Sequence, residues 1–141
     1  MQIHLKKGEK LYVNGAVIRA DHRCSLEFLN NVTFLLENHV MQADKAETPF
    51  KQIYFVVQTM LMDPENAQIT RELYWHLSGC LHSTLENTQL INGLASSDAC
   101  IKNQRYFDAL KVLRGLFDTE SKILAAEPHK LGRTNLQKEV A

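Results

Sequence analysis

The ten residues LYVNGAVIRA, Leu11 to Ala20, decide how the first part of this chain folds. Asn14-Gly15 sits between two short runs of β-formers. Both central residues of a type I′ turn need positive φ, and Asn and Gly tolerate it best. Leu11-Tyr12-Val13 and Ala16-Val17-Ile18 are therefore expected to pair as a tight hairpin. The same pattern extends outward. IHLKK, SLEFL and VTFLLE are short segments rich in Val, Ile, Leu and Phe, with a period close to two. Lys7-Gly8-Glu9, Asp21-His22-Arg23 and Asn30-Asn31 punctuate them. Residues 2–41 thus read as a small antiparallel sheet of four or five strands.

From Thr48 onward the period becomes helical. Thr48-Pro49 is an N-cap followed by proline at the first helical position. Phe50, Ile53, Tyr54, Val57, Met60 and Leu61 recur at spacings of three and four. Asp63-Pro64 closes this helix and opens a second, which runs to about Leu85. Its apolar side is expected to hold Ile69, Leu73, Trp75, His76, Leu77, Cys80 and Leu81. Asn87 caps a third helix, and a fourth covers about Tyr106 to Phe117. Asp118-Thr119-Glu120 is expected to cap a short last helix through Leu124. The fold class is α+β: one domain over 1–127, β-rich over 2–41, with a bundle of about four helices over 48–125. The polar tail 128–141 is expected to be disordered.

Composition narrows the function. The chain has 141 residues, 45% hydrophobic and 23% charged, with formal net charge zero. No apolar run approaches the roughly 20 residues of a membrane helix. MQIHLKKGEK has no signal-peptide core, so a cytoplasmic protein without membrane contact is expected. Cys24, Cys80 and Cys100 form no CxxC pair and read as reduced and mostly packed. No phosphate-cradling glycine loop, GxSxG elbow or HExxH motif is present, so no enzyme activity, cofactor or metal is expected. His76 and His82 stand six apart and read as buried or half-buried helix residues. Adjacent helix residues point about 100° apart. One member each of Tyr54-Phe55 and Tyr74-Trp75 is thus expected near a surface.

Charge is uneven along the chain. Residues 1–23 carry Lys6, Lys7, Lys10, Arg19 and Arg23 against Glu9 and Asp21. Such cations serve either as solvated charges that protect a sheet edge or as a track for a phosphate chain. Glu37-Asn38-His39 reads as the polar end of a strand. Asn38 and His39 are residue types that hydrogen-bond and stack with unpaired bases.

Four segments together resemble the FlbT family of bacterial flagellin-expression regulators. They are LKKGEKLYVNGAVIRA (Leu5 to Ala20), LEFLNNVTFLLENHVMQ (Leu26 to Gln42), TPFKQIYFVVQTMLMDP (Thr48 to Pro64) and YFDALKVLRGLF (Tyr106 to Phe117). The likeness spans roughly residues 3–125. It implies a post-transcriptional role, in which the protein associates with the 5′ untranslated leader of flagellin messenger RNA and alters its translation or decay, most often repressively. It carries no catalytic residues. Leu5-Lys6-Lys7-Gly8-Glu9 is also similar to the opening of the carbon-storage-regulator family, whose basic strand grips a messenger leader. Here lysines stand where arginines are common, the spacing is one residue shorter, and helices follow.

Two readings result. In the first, Lys6, Lys7, Lys10, Arg19 and Arg23 neutralise phosphates of a flagellin messenger leader while Asn38 and His39 meet bases. In the second, the protein is an adaptor whose helical aromatics dock flagellin or a small flagellar regulator. Homodimerisation through the helices is compatible with either.

Overall fold

The computed structural model describes residues 2–126; the tail from 128, expected to be disordered, lies outside them. Asn14 and Gly15 have φ of 48° and 87°, the positive pair that a type I′ turn requires. They join β2 (Lys10–Val13) to β3 (Ala16–Arg19), with Val13 opposite Ala16 and Lys10 opposite Arg19. β5 (Phe34–Leu36) pairs antiparallel with the other edge of β2. β1 (Gln2–Leu5) instead pairs with β4 (Cys24–Glu27), from Gln2 opposite Glu27 to Leu5 opposite Cys24. Five antiparallel strands form as expected, but as two small sheets rather than one. Both edges of β2 are occupied, so β1 completes its hydrogen bonds with β4.

Strand alternation gives β2 two working faces. Leu11 and Phe34 join Ile3, Leu5 and Ala20 in a small core between the sheets. Leu35, opposite Tyr12, turns the other way into the main core. That core is built by α1 (Pro49–Met62), α2 (Ala67–His82), α3 (Thr88–Lys102), α4 (Tyr106–Arg114) and α5 (Phe117–Ala126). Thr48 and Asn87 cap α1 and α3 as read, accepting from the Lys51 and Leu90 amides at 3.3 and 3.0 Å.

Three expectations on packing are corrected. First, Asp118-Thr119-Glu120 lies inside α5, which begins at Phe117. Glu120 is fully buried and its carboxylate caps α1, accepting the Phe50 N–H at 2.8 Å and the Thr48 hydroxyl. An anion at a helix N-terminus satisfies amides that the helix itself leaves unpaired. Second, α2 buries Tyr74, Ser78 and Leu81, while Ile69 and Leu73 are 72% and 48% exposed. The inward face is fixed by a polar cluster that apolar periodicity does not register. The Tyr74 hydroxyl meets Ser97 Oγ at 2.8 Å and donates to Asp98 at 2.7 Å, Ser78 donates to Asp98 at 2.7 Å, and His82 Nε2 lies 2.8 Å from Asp98. Third, His76 is exposed on α2, His82 reaches Asp98 from the rim of the inward face with its side chain 35% exposed, and Cys24 is exposed on β4, which has little cover. Of the adjacent aromatics, Tyr54 and Tyr74 are buried, and Phe55 and Trp75 are half-buried.

The segment joining sheet to helices is held by side chains. Gln58, 4% exposed, accepts from the Met41 amide at 2.6 Å and donates to the Met41 carbonyl at 2.9 Å. Gln58→Leu keeps the volume and orphans both backbone groups. The expected outcome is a loss of about 2 kcal/mol in urea unfolding. A second test concerns Glu120. Burial pushes its carboxyl above the ordinary range, against the pull of the Thr48 and Phe50 hydrogen bonds and of Lys51. The folded state therefore holds the proton more tightly than the unfolded one. Stability should fall as pH climbs from about 4 through the raised native value, and level off above it. Glu120→Gln should remove that slope in unfolding curves collected across the same window.

Candidate functional site

The β1–β2 connection is a tight turn. Gly8 has φ of 81°, and the Glu9 amide donates to the Lys6 carbonyl at 3.0 Å. This is the geometry of a type II turn with Lys7 and Gly8 at its centre. Glu9 also accepts from the Lys6 amide at 3.0 Å. The turn is clamped to the end of β3. The Gly8 amide donates to the Ala20 carbonyl at 2.7 Å, and the Ala20 amide to Glu9 at 2.9 Å. Lys6 and Lys7 therefore sit beside Arg19. Lys10 and Arg19 are directly opposite across the β2–β3 ladder and project to one face. Arg23 immediately precedes Cys24, the partner of Leu5, so the β1–β4 register brings it towards Lys6.

The five cations thus gather at one end of the two sheets. Lys10 is half-buried and the other four are exposed. Among the described residues none of the five forms a salt bridge. Of their acidic neighbours, Glu9 and Glu37 are engaged with backbone, Glu37 accepting the Lys10 amide at 3.2 Å, and Asp21 is exposed with its carboxylate 3.6 Å from His22.

Glu37–His39 is a single 3-10 turn after β5, not the end of the strand. Where the chain leaves the ladder, the Glu37 carboxylate accepts the Lys10 amide. Asn38 is exposed next to the cationic rim, whereas His39 is half-buried towards the helices. The Tyr54 hydroxyl donates to the His39 carbonyl at 2.5 Å and accepts from Arg114 Nη1 at 3.0 Å. The Arg114 guanidinium also lies over the Tyr54 ring, 6.0 Å from its centroid. Burial, then the Arg114 charge, lowers the His39 pKa below the ordinary imidazole value.

Asn38, His39, Lys45, Tyr54, Arg114 and Phe117 line one groove beside the rim. Reading the sequence singles out Asn38 and His39 but misses Arg114 and Lys45. The Arg114–Tyr54 bond spans 60 residues, and no local pattern announces it. No group of three or more His, Cys, Asp or Glu among the described residues could hold a metal ion. No helix among them is long and apolar enough to cross a membrane.

Fold and site together define a small α+β protein that carries an exposed basic rim on paired strands. Its lineage is specific. The profile of the family described as flagellar protein FlbT matches residues 1–124, and the chain belongs to that family. A Chelativorans sp. relative is 47% identical over 125 residues, covering 89% of this chain and 86% of the relative. An Agrobacterium fabrum relative is 42% identical over 125 residues, covering 89% and 84%. Both are called "Probable flagellum biosynthesis repressor protein FlbT". A Bradyrhizobium diazoefficiens relative, bearing the same name with the number 2, is 43% identical, covering 89% and 92%. No solved structure shows a significant match.

The electrostatic coupling in the groove is testable directly. Arg114→Gln removes the charge beside His39, so the imidazolium becomes easier to form. The His39 pKa, followed by NMR, should rise towards the ordinary imidazole value without reaching it, because burial still opposes the charge.

Proposed function

We propose that this protein is a non-enzymatic, post-transcriptional regulator of flagellin synthesis that binds the 5′ untranslated leader of flagellin messenger RNA. Binding there represses translation or exposes the transcript to decay. The names of its relatives support repression of flagellum biosynthesis, and the cationic rim supports RNA as the ligand. Lys6, Lys7, Lys10, Arg19 and Arg23 contact phosphates, while Asn38 and His39 meet unpaired bases.

The observation that carries this reading is the facing pair Lys10 and Arg19. Like charges directly opposite in an antiparallel pair destabilise the sheet. A sequence selected for stability alone would put an acid or a threonine at one of these positions. Local conflicts of this kind concentrate where a surface has a task. A phosphate lying between the two side chains relieves the repulsion and releases counterions into solution. The protein is neutral overall, so a homodimer that doubled the rim would raise affinity by avidity.

Gel-shift titration with a flagellin leader tests the proposal. Five single-strand phosphate contacts give a slope of log affinity on log salt of roughly −3.5. The combined Lys6→Ala, Lys7→Ala and Lys10→Ala variant should flatten that slope by about 2. Unchanged binding would dismiss the rim. Arg19→Thr separates function from fold: it should raise stability by a few tenths of a kcal/mol, about 0.2–1, while weakening RNA binding.

A second reading is favoured by one specific observation. Ile69 and Leu73, one turn apart on α2, leave an apolar strip in solvent. In this reading the strip docks flagellin or a small flagellar regulator, and effects on messenger RNA are indirect. Leu73→Glu would then abolish regulation in cells, while the combined Lys6→Ala, Lys7→Ala and Lys10→Ala variant would leave it intact.

A further inference from the structure

We infer that the groove lined by His39, Lys45, Tyr54 and Arg114 is a second phosphate site, which holds the RNA where it leaves the β-hairpin rim. This inference rests on the RNA-binding reading and extends it to residues on the helical half.

The lining of the groove contains two permanent cations, Lys45 and Arg114, and no carboxylate. Among the described residues neither cation forms a salt bridge. Elsewhere on the helical half, Arg105 and Lys122 are paired with Asp108 and Asp118, and Lys51, Lys102 and Lys111 lie over aromatic rings. Arg114 is half-buried, donates to the Tyr54 hydroxyl and has its guanidinium 6.0 Å from the Tyr54 ring centroid. An arginine fixed in this way has already lost much of its side-chain freedom. The guanidinium donors left over are ready to grip a tetrahedral anion. Phe117, itself half-buried and edge-on to Tyr54 at 5.4 Å between ring centroids, gives the groove an apolar wall. Asn38 supplies an exposed amide at its mouth.

Continuity with the rim selects RNA as the occupant over an isolated carboxylate. The turn Glu37–His39 belongs to both sites. Glu37 is bound to the amide of Lys10 in the rim, and the carbonyl of His39 to Tyr54 in the groove. The two attachments are two residues apart on this turn, about 4 Å along its axis at roughly 2 Å of rise per residue. One flexible polyanion can therefore cross Asn38 and occupy both.

The test compares Arg114→Gln, Lys45→Gln and the triple-lysine rim variant in fluorescence anisotropy with a flagellin leader RNA and, separately, with a polyglutamate peptide. Glutamine at 114 removes the charge and keeps a polar side chain, and a thermal melt of each variant checks the fold. Arg114→Gln is expected to weaken RNA binding about tenfold and to flatten the salt slope by about 0.7, one single-strand phosphate. Lys45→Gln should act in the same direction, by about threefold. The imidazole of His39 in the wild type should titrate higher when RNA is bound, because the phosphate offsets Arg114. If the triple-lysine variant loses RNA binding while folded Arg114→Gln keeps affinity and slope, the groove site is overturned and the rim stands. If the wild type binds no RNA, the underlying RNA reading falls. Polyglutamate binding that depends on Arg114, with RNA binding untouched, would assign the groove to a protein ligand and overturn the inference.

Discussion

The amide of Gln58 holds the two halves of this protein together. It lies almost wholly out of solvent on α1 and forms two hydrogen bonds with the backbone of Met41, where the chain passes from sheet to helices. Buried backbone groups must find partners, and this stretch has no strand beside it to supply them. Tyr54, one turn earlier on the same helix face, does the same for the carbonyl of His39. Helix α1 therefore acts as a substitute strand. It fixes the segment 39–41, and through it the turn Glu37–His39 that borders the cationic rim.

The anchoring helix is itself secured from a distance. Its first turn receives the buried carboxylate of Glu120, which lies 70 residues beyond Phe50. A buried carboxylate is costly unless donors surround it, and the end of a helix offers donors without partners. The two deficits cancel, and α5 becomes docked against α1. From Glu120 through α1 to Met41 and Glu37, a continuous set of polar contacts ties the last described helix to the edge where Lys10 faces Arg19. The rim and the groove beside it share this frame, so cations from distant parts of the chain are held as one surface.

Two kinds of charge result. The rim holds four exposed side chains and the half-buried Lys10, none of which forms a salt bridge among the described residues. Arg114 is half-buried and tied to the Tyr54 hydroxyl, with its planar fork of donors oriented by that bond. The likeness of Leu5 to Glu9 to the carbon-storage-regulator family concerns only the first kind. The second lies outside that likeness, because Tyr54 and Arg114 stand on helices well beyond the residues that carry it.

Much of this was legible in the residues themselves. Asn14-Gly15 specifies a turn that few other pairs tolerate, and β2 and β3 formed on either side of it. Thr48-Pro49 and Asn87 mark helix starts through donors within three residues of them. Phrases such as GEKLYVNGAVIR and FLLENHVM carried the family. These signals are local: each is a short-range steric or hydrogen-bonding preference, and the sequence by itself determined what they governed. Only tertiary structure decided the division of the strands into two sheets, the inward face of α2, the role of Glu120 and the meeting of Arg114 with Tyr54. Each of these is a pairing of polar groups far apart in the chain, driven by the cost of leaving a buried donor or acceptor unmatched. That cost has no period and no motif, and it takes effect only when packing removes water from both partners at once.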